Sequence, residues 1–318
     1  MVSEVALMGK SAVLFPGQGS QYVGMGAGFY QEFSFARELF ETAEEITRKP
    51  LKRLCFEGSM EELTQTVNLQ PAITVVNLCG LMALEKEGFK ADFAAGHSLG
   101  EYSALFARGI ITTEDTLKLV NARGELMERE ANAHPGAMKA VIGLTFEEVA
   151  GILERVVDKG ICSIANYNTH NQIVISGEPA AVDAASSALT GAKAKVVPLK
   201  VSGAWHSVLM AKARDDFKEV LNHISFAPPQ GTILFNVSGE AESDPITIKK
   251  IMGEQICRPV LWCQIIQKML EEGVDLFVEV GPKKVLQGLL SKIAPKDYTY
   301  RAYGVEDMDS LRHFLSQQ

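Results

Sequence analysis

The sequence predicts an α/β fold in two parts, a large subdomain built on a mainly parallel sheet and a smaller one inserted into it. Three observations carry that prediction. Apolar strand-length runs alternate with helix-length periodic segments from Ser11 to about residue 132 and again from residue 204 to the end. Such alternation implies parallel strands covered by helices on both faces. Between those stretches, residues 137–201 read β-α-β-β-α-β, the split ferredoxin-like plan. The third is Ala94-Ala95-Gly96-His97-Ser98-Leu99-Gly100-Glu101, where Gly-x-Ser-x-Gly sits between an apolar strand and an apolar-periodic helix. That pattern marks a sharp strand-to-helix turn that lifts a serine hydroxyl out of the end of a sheet. The boundaries expected are 1–132 with 204–318 for the large, α/β-hydrolase-like subdomain, and 133–203 for the insert.

Composition narrows the function classes. The 318 residues are 47% hydrophobic and 22% charged, with a net charge of −8, as in an ordinary soluble globular protein. No basic run stands out, which argues against nucleic-acid binding. Apolar stretches are interrupted before membrane-spanning length and the amino terminus lacks a signal-peptide layout, so a cytoplasmic protein without a membrane partner is expected. Cys55, Cys79, Cys162, Cys257 and Cys263 are odd in number and contain no Cys-x-x-Cys pair; they read as reduced thiols. With no histidine cluster at ligand spacing, no metal or other cofactor is expected.

After a leader of about ten residues, Ser11–Phe15 is a strand that runs into Pro16-Gly17-Gln18-Gly19-Ser20-Gln21. This loop has neither the dinucleotide fingerprint nor a Gly-Lys-Ser/Thr ending. It is either a structural turn or a loop whose backbone comes close to a reacting atom. Helical periodicity follows over 33–47 and 70–88, and then the serine turn, with strand Phe93–Ala95 before it and Glu101 in the first helical turn, where a negative charge suits the dipole. On the next helix, Thr113–Ala131, the residues Leu119, Val120, Leu126 and Met127 form an apolar face, and Arg123 projects into its middle. A buried guanidinium needs an anion, because its desolvation costs several kcal/mol. Arg123 therefore meets a protein carboxylate, snorkels, or waits for a ligand carboxylate, which its fork suits.

In the insert, Ala137–Leu144 is a strand, Phe146–Val157 a helix, and Ile161–Ala165 and Gln172–Ser176 strands separated by an Asn-rich loop. Helix Pro179–Leu189 and strand Ala194–Val201 complete it. The chain returns through Ser202-Gly203-Ala204-Trp205-His206-Ser207, which puts His206 in a small-residue loop at a junction. His97 should point away from Ser98 across the turn, and His134, His170, His223 and His313 fall in polar loops or surface helices. Serine before histidine at long separation is the order of nucleophile-elbow enzymes. The remainder alternates strand Thr232–Val237, helices near 246–256 and 260–272, strand Val274–Val280, helix Lys284–Ile293, strand Tyr298–Tyr303 and a terminal helix.

Together, Phe15–Gln21, Gly96-His97-Ser98-Leu99-Gly100-Glu101, the arginine of Asn121-Ala122-Arg123-Gly124, the Trp205-His206 segment and Val280-Gly281-Pro282 resemble the malonyl-CoA:acyl-carrier-protein transacylases from about Ser11 to Ile293. The resemblance implies Ser98 as nucleophile and His206 as general base. It implies the backbone N–H groups of Gln18 and Leu99 as oxyanion donors, Arg123 as the malonyl-carboxylate clamp, and Gln255 as the residue that orients the histidine through a main-chain carbonyl. The implied reaction is ping-pong: malonyl passes from malonyl-CoA to Ser98, CoA leaves, and the phosphopantetheine thiol of an acyl carrier protein collects it for fatty-acid biosynthesis. A polyketide pathway is an alternative destination. Trp205 stands where the family commonly has phenylalanine and should crowd an α-branched acyl group. The loop Asn166–Gln172 also departs from the usual small-residue version, and His170 there reads as a solvated side chain.

The rival reading, a serine thioesterase or esterase, would require a triad acid between Ser98 and His206 and a His-Gly-Gly-Gly oxyanion loop; neither is evident. A non-catalytic carrier-docking module would be marked by loss of the serine, histidine or arginine, and all three are present. Docking of an acidic carrier on an acidic chain calls for a local basic patch, with Lys193, Lys195 and Lys200 or Lys283 and Lys284 as candidates. Nothing in the sequence reads as an obligate interface, so a monomer is expected.

Overall fold

The computed structural model describes residues 9–201 and 203–318. Most of the leader, and Ser202 of the junction segment, therefore lie outside the described residues. The first sheet contains β1 (Lys10–Phe15), β2 (Phe93–Gly96), β7 (Thr232–Ile233), β8 (Val274–Val280) and β9 (Arg301–Val305), ordered β7-β2-β1-β8-β9 with every pair parallel. The second contains β3 (Ala137–Ile142), β4 (Cys162–Thr169), β5 (Gln172–Gly177) and β6 (Lys195–Pro198), ordered β4-β5-β3-β6 and antiparallel throughout. Helices Phe146–Glu154 and Pro179–Gly191 complete the βαββαβ plan.

Strand β1 shows why the large sheet needs helices on both sides. Val13 and Phe15 join the core on one face, while Ala12 and Leu14 join the core on the other. The chain crosses from β1 to β2 on one side and later from β8 to β9 on the other, so the sheet changes winding direction at β1. The crevice outside the carboxyl ends at such a switch point is where parallel sheets place their sites. The Gln18 loop leaves β1 there, and Ser98 follows β2 two residues beyond Gly96.

Several expectations need correction. The Asn-rich loop does not exist as a loop: β4 continues to Thr169, because Tyr167 N–H donates to Val260 O at 2.8 Å and Val260 N–H to Ala165 O at 2.9 Å. A segment of the large part thus pairs with the strand, and only His170 and Asn171 are left to turn the hairpin. The strand expected over Thr232–Val237 stops at Ile233, since Leu234 turns to bridge Ala241. The helix expected from residue 70 starts at Thr66 and accommodates Pro71 in its second turn. That helix, Thr66–Lys86, is also long and apolar enough to cross a membrane, contrary to the reading that such runs are interrupted early; here most of its length is buried in the core. Helix Ala211–Asn222 was not anticipated; its apolar stripe of Ala213, Phe217 and Leu221 is buried under otherwise charged sequence.

Candidate active site

The turn after β2 is built by close backbone approach. A Cβ on Gly96 would lie 1.9 Å from Gly100 C, and one on Gly100 would lie 2.0 Å from Phe15 O. Both contacts are with backbone, so neither can be relieved by a side-chain rotation. Ser98 itself has φ 50°, a left-handed conformation that costs a non-glycine residue roughly 1–3 kcal/mol. The cost is offset by Asn236, which follows β7. Its side-chain Oδ1 accepts from Ser98 N–H at 2.7 Å, and its Nδ2 donates to Gly96 O at 2.7 Å. This amide staples the turn from the neighbouring strand.

His206 also has a positive φ of 58° and is buried. Its Nε2 lies 2.8 Å from Ser98 Oγ. On the other side of the ring, Nδ1 lies 3.1 Å from Gln255 O and 2.9 Å from Arg258 O. Two carbonyls accept and cannot donate, so Nδ1 carries the proton and Nε2 is left to accept from the serine. Main-chain carbonyls thus stand where a triad would place a carboxylate. Burial, with the charge of Arg123 adding to it, pushes the imidazole pKa down to about 3, so the ring is neutral around pH 7. A neutral imidazole aimed at a serine hydroxyl can take its proton.

Arg123 is fully buried. Its Nη2 donates to Ser98 Oγ at 3.2 Å, and Nε and Nη2 donate to Gln255 Oε1 at 3.2 and 3.1 Å. Its Nη1 is buried without a hydrogen-bond partner, and among the described residues no carboxylate forms an ion pair with it. Of the three fates open to Arg123, internal ion pairing and snorkelling are therefore not adopted. The Gln18 loop closes over the same turn: a Cβ on Gly17 would meet His97 O at 2.5 Å and Leu99 N at 3.5 Å. Among the described residues, the N–H groups of Gln18 and Leu99 are not taken up by another protein group. Trp205 is buried against the same core, and its indole lies where any side chain on Gly203 would be.

These distances gather Ser98, His206, Arg123, Gln255 and the Gln18–Leu99 backbone in one crevice. The family model of the acyl transferase domain matches residues 13–308. The chain belongs to the acyl transferase family. This acyltransferase is 41% identical over 289 residues to the malonyl CoA-acyl carrier protein transacylase of Bacillus subtilis (strain 168), which covers 90% of the chain and 91% of that protein. It is 42% identical over 283 residues to the polyketide biosynthesis malonyl CoA-acyl carrier protein transacylase PksC of the same strain, covering 88% and 96%. A crystal structure of malonyl CoA-acyl carrier protein transacylase from Clostridium perfringens superposes with a TM-score of 0.91 at 40% identity, covering 97% of this chain and 96% of that one.

The remaining acyltransferase residues fall where their surroundings explain them. His97 turns away from Ser98 and pairs with Asn168 Oδ1 at 2.9 Å. His170 is exposed at the hairpin tip, with Nε2 3.4 Å from Ile293 O. Lys283 Nζ donates to Gly19 O at 3.4 Å, which puts one candidate lysine beside the Gln18 loop, whereas Lys193, Lys195 and Lys200 are exposed on the small sheet's side. Two residues escaped the sequence reading. Asn236 was read as part of a strand, although a polar residue ending the run Ile233-Leu234-Phe235 is the signal that could have exposed it. Glu101 reads in the sequence only as a first-turn acid suited to the helix dipole, but it is fully buried and bonded to Asn236 and Gln255.

Proposed function

We propose that this acyltransferase moves a malonyl group from malonyl-CoA to the phosphopantetheine thiol of an acyl carrier protein through a malonyl-Ser98 intermediate. The observation that carries the reading is Arg123: a buried guanidinium with one unpartnered nitrogen, 3.2 Å from the hydroxyl that His206 faces at 2.8 Å. A hydrolase acting on neutral acyl groups has no use for such a cation, while an acyl group ending in a carboxylate needs one.

Each step then has an owner. His206 Nε2 takes the serine proton as Oγ attacks the thioester carbonyl. The oxyanion is met by the N–H groups of Leu99 and Gln18, where a preorganised donor contributes roughly 3–4 kcal/mol. The protonated imidazole returns its proton to the departing CoA thiolate. The carrier thiol repeats the sequence in reverse, with Ser98 as leaving group. Gln255 O and Arg258 O hold the imidazole in the required tautomer. The relative named for polyketide biosynthesis and the one whose name gives no pathway are equally close to this chain, at 42% and 41% identity, and the same site chemistry serves a fatty-acid or a polyketide carrier. We further take residues 133–203 as an inserted, cleft-lining subdomain, and the acyltransferase as a cytoplasmic monomer.

The test compares wild type with Arg123→Ala on malonyl-CoA and acetyl-CoA. Loss of malonyl transfer with acetyl transfer maintained or raised supports the reading. Parallel loss of both, or of neither, makes Arg123 structural and removes the basis for a dicarboxylate acyl donor.

A further inference from the structure

Glu101 occupies the centre of a hydrogen-bond chain that ends at Arg123. Its Oε1 accepts from Asn236 N–H at 2.6 Å, and its Oε2 accepts from Gln255 Nε2 at 2.6 Å. Gln255 Nε2 donates also to Ser98 O at 2.8 Å, so both amide protons are committed on that side. The amide oxygen must then face the other way, and it receives Arg123 Nε and Nη2. Glu101, Gln255 and Arg123 are all completely buried, so water does not substitute for any link.

Resting on the malonyl-transfer reading above, we propose that Glu101 is the positioning residue of the carboxylate clamp, acting through the Gln255 amide. An ionised carboxylate only accepts, so it fixes which end of the Gln255 amide faces Arg123. It also supplies negative charge to the guanidinium at one remove. A carboxylate placed directly on Arg123 would fill the fork and compete with substrate. A neutral amide alone would leave the cation without any counter-charge in a dry site. The relay meets both needs: Arg123 is held at Nε and Nη2, and Nη1 is left without a hydrogen-bond partner. Burial pushes the Glu101 carboxyl up to about 7 even with Asn236 N–H, the Gln255 amide and Arg123 pulling it down. Both of its oxygens accept from N–H donors, the arrangement that suits the ionised form.

Glu101→Gln tests the polarity of this chain with almost no change of shape. The Asn236 N–H cannot turn, so the new amide must give it an oxygen and present its NH2 to Gln255. Gln255 then has to flip, setting its own NH2 against Arg123. The readout is the ratio of kcat/KM for malonyl-CoA to that for acetyl-CoA, which does not depend on how much of the sample is folded. Glu101→Gln is expected to lower this ratio about ten- to a hundredfold, the loss typical when the outer partner that orients a metal ligand is removed, taken here as the scale for an oriented guanidinium. In an Arg123→Ala background the same change should leave the ratio where Arg123→Ala alone puts it. Glu101→Asp, which still only accepts, should keep a ratio nearer to wild type.

If Arg123→Ala collapses the ratio and Glu101→Gln does not, the positioning role is wrong and the malonyl reading stands. A Glu101→Gln effect that persists in the Arg123→Ala background, or an equal fall in Glu101→Asp, also overturns it. If Arg123→Ala leaves the ratio unchanged, the malonyl reading itself fails and the clamp's positioning residue falls with it.

Discussion

Asn236→Ala should weaken the protein more than an ordinary polar substitution, because one side chain satisfies two backbone groups of a strained turn. Gly96 O loses its 2.7 Å donor in a buried setting, which costs about 1–3 kcal/mol. Ser98 N–H loses its 2.7 Å acceptor in a half-buried one, which adds about 0.5–1.5 kcal/mol. Together the expected destabilisation is about 1.5–4.5 kcal/mol, measured by urea unfolding of wild type and variant at a common pH. Asn236→Asp sharpens the argument. It keeps shape and the acceptor for Ser98 N–H, but sets a carboxylate oxygen against Gly96 O and beside Glu101. Above about pH 8, where both carboxylates tend to ionise, it should be at least as unstable as the alanine variant. A loss under about 1 kcal/mol for alanine, or an aspartate variant as stable as wild type, would show that the turn does not depend on this staple.

Other consequences follow from the same geometry. Gly100→Ala should abolish activity and lower stability by about 1–3 kcal/mol or more, since its Cβ would sit 2.0 Å from Phe15 O; circular dichroism melts and transfer assays on the purified variant check it, and an active, equally stable variant contradicts it. His206 contributes stability in a pH-dependent way. Its pKa is about 3 when folded against 6.5 ordinarily, so its stabilising contribution is complete above about pH 6.5 and declines as pH falls toward 3. The stability difference between wild type and the non-titrating His206→Gln variant should therefore shift against wild type below pH 6.5, by up to about 1.4 kcal/mol per pH unit; a difference independent of pH would refute it. Trp205→Phe should raise kcat/KM for methylmalonyl-CoA relative to malonyl-CoA, and an unchanged ratio would clear Trp205 of any role in specificity.

Ser98, His206 and Arg123 were readable because each breaks a local pattern in a recognisable way. The serine lies between two obligatory glycines, the histidine lies in a small-residue junction, and the arginine interrupts an apolar helix face. The βαββαβ order of the insert was equally plain, since its periodicity switches from two to 3.6 and back within short segments. What escaped is governed by contacts between distant residues. β4 extends through an Asn-rich stretch because Val260, nearly a hundred residues later, pairs with it. Asn236 and Glu101 carry ordinary strand-end and first-turn signals, and their partners lie more than a hundred residues away. Local propensity describes a carboxylate at a helix start; only the packed structure shows that it is dry and bonded to Gln255.

The most direct measurement mixes the acyltransferase with malonyl-CoA in the absence of carrier protein and follows intact mass, then peptide mass after quenching. The account predicts one malonyl group on the peptide bearing Ser98, absent in Ser98→Ala and discharged when a phosphopantetheinylated acyl carrier protein is added. No adduct, an adduct on another residue, or release of free malonate as fast without the carrier as with it would contradict transfer through Ser98.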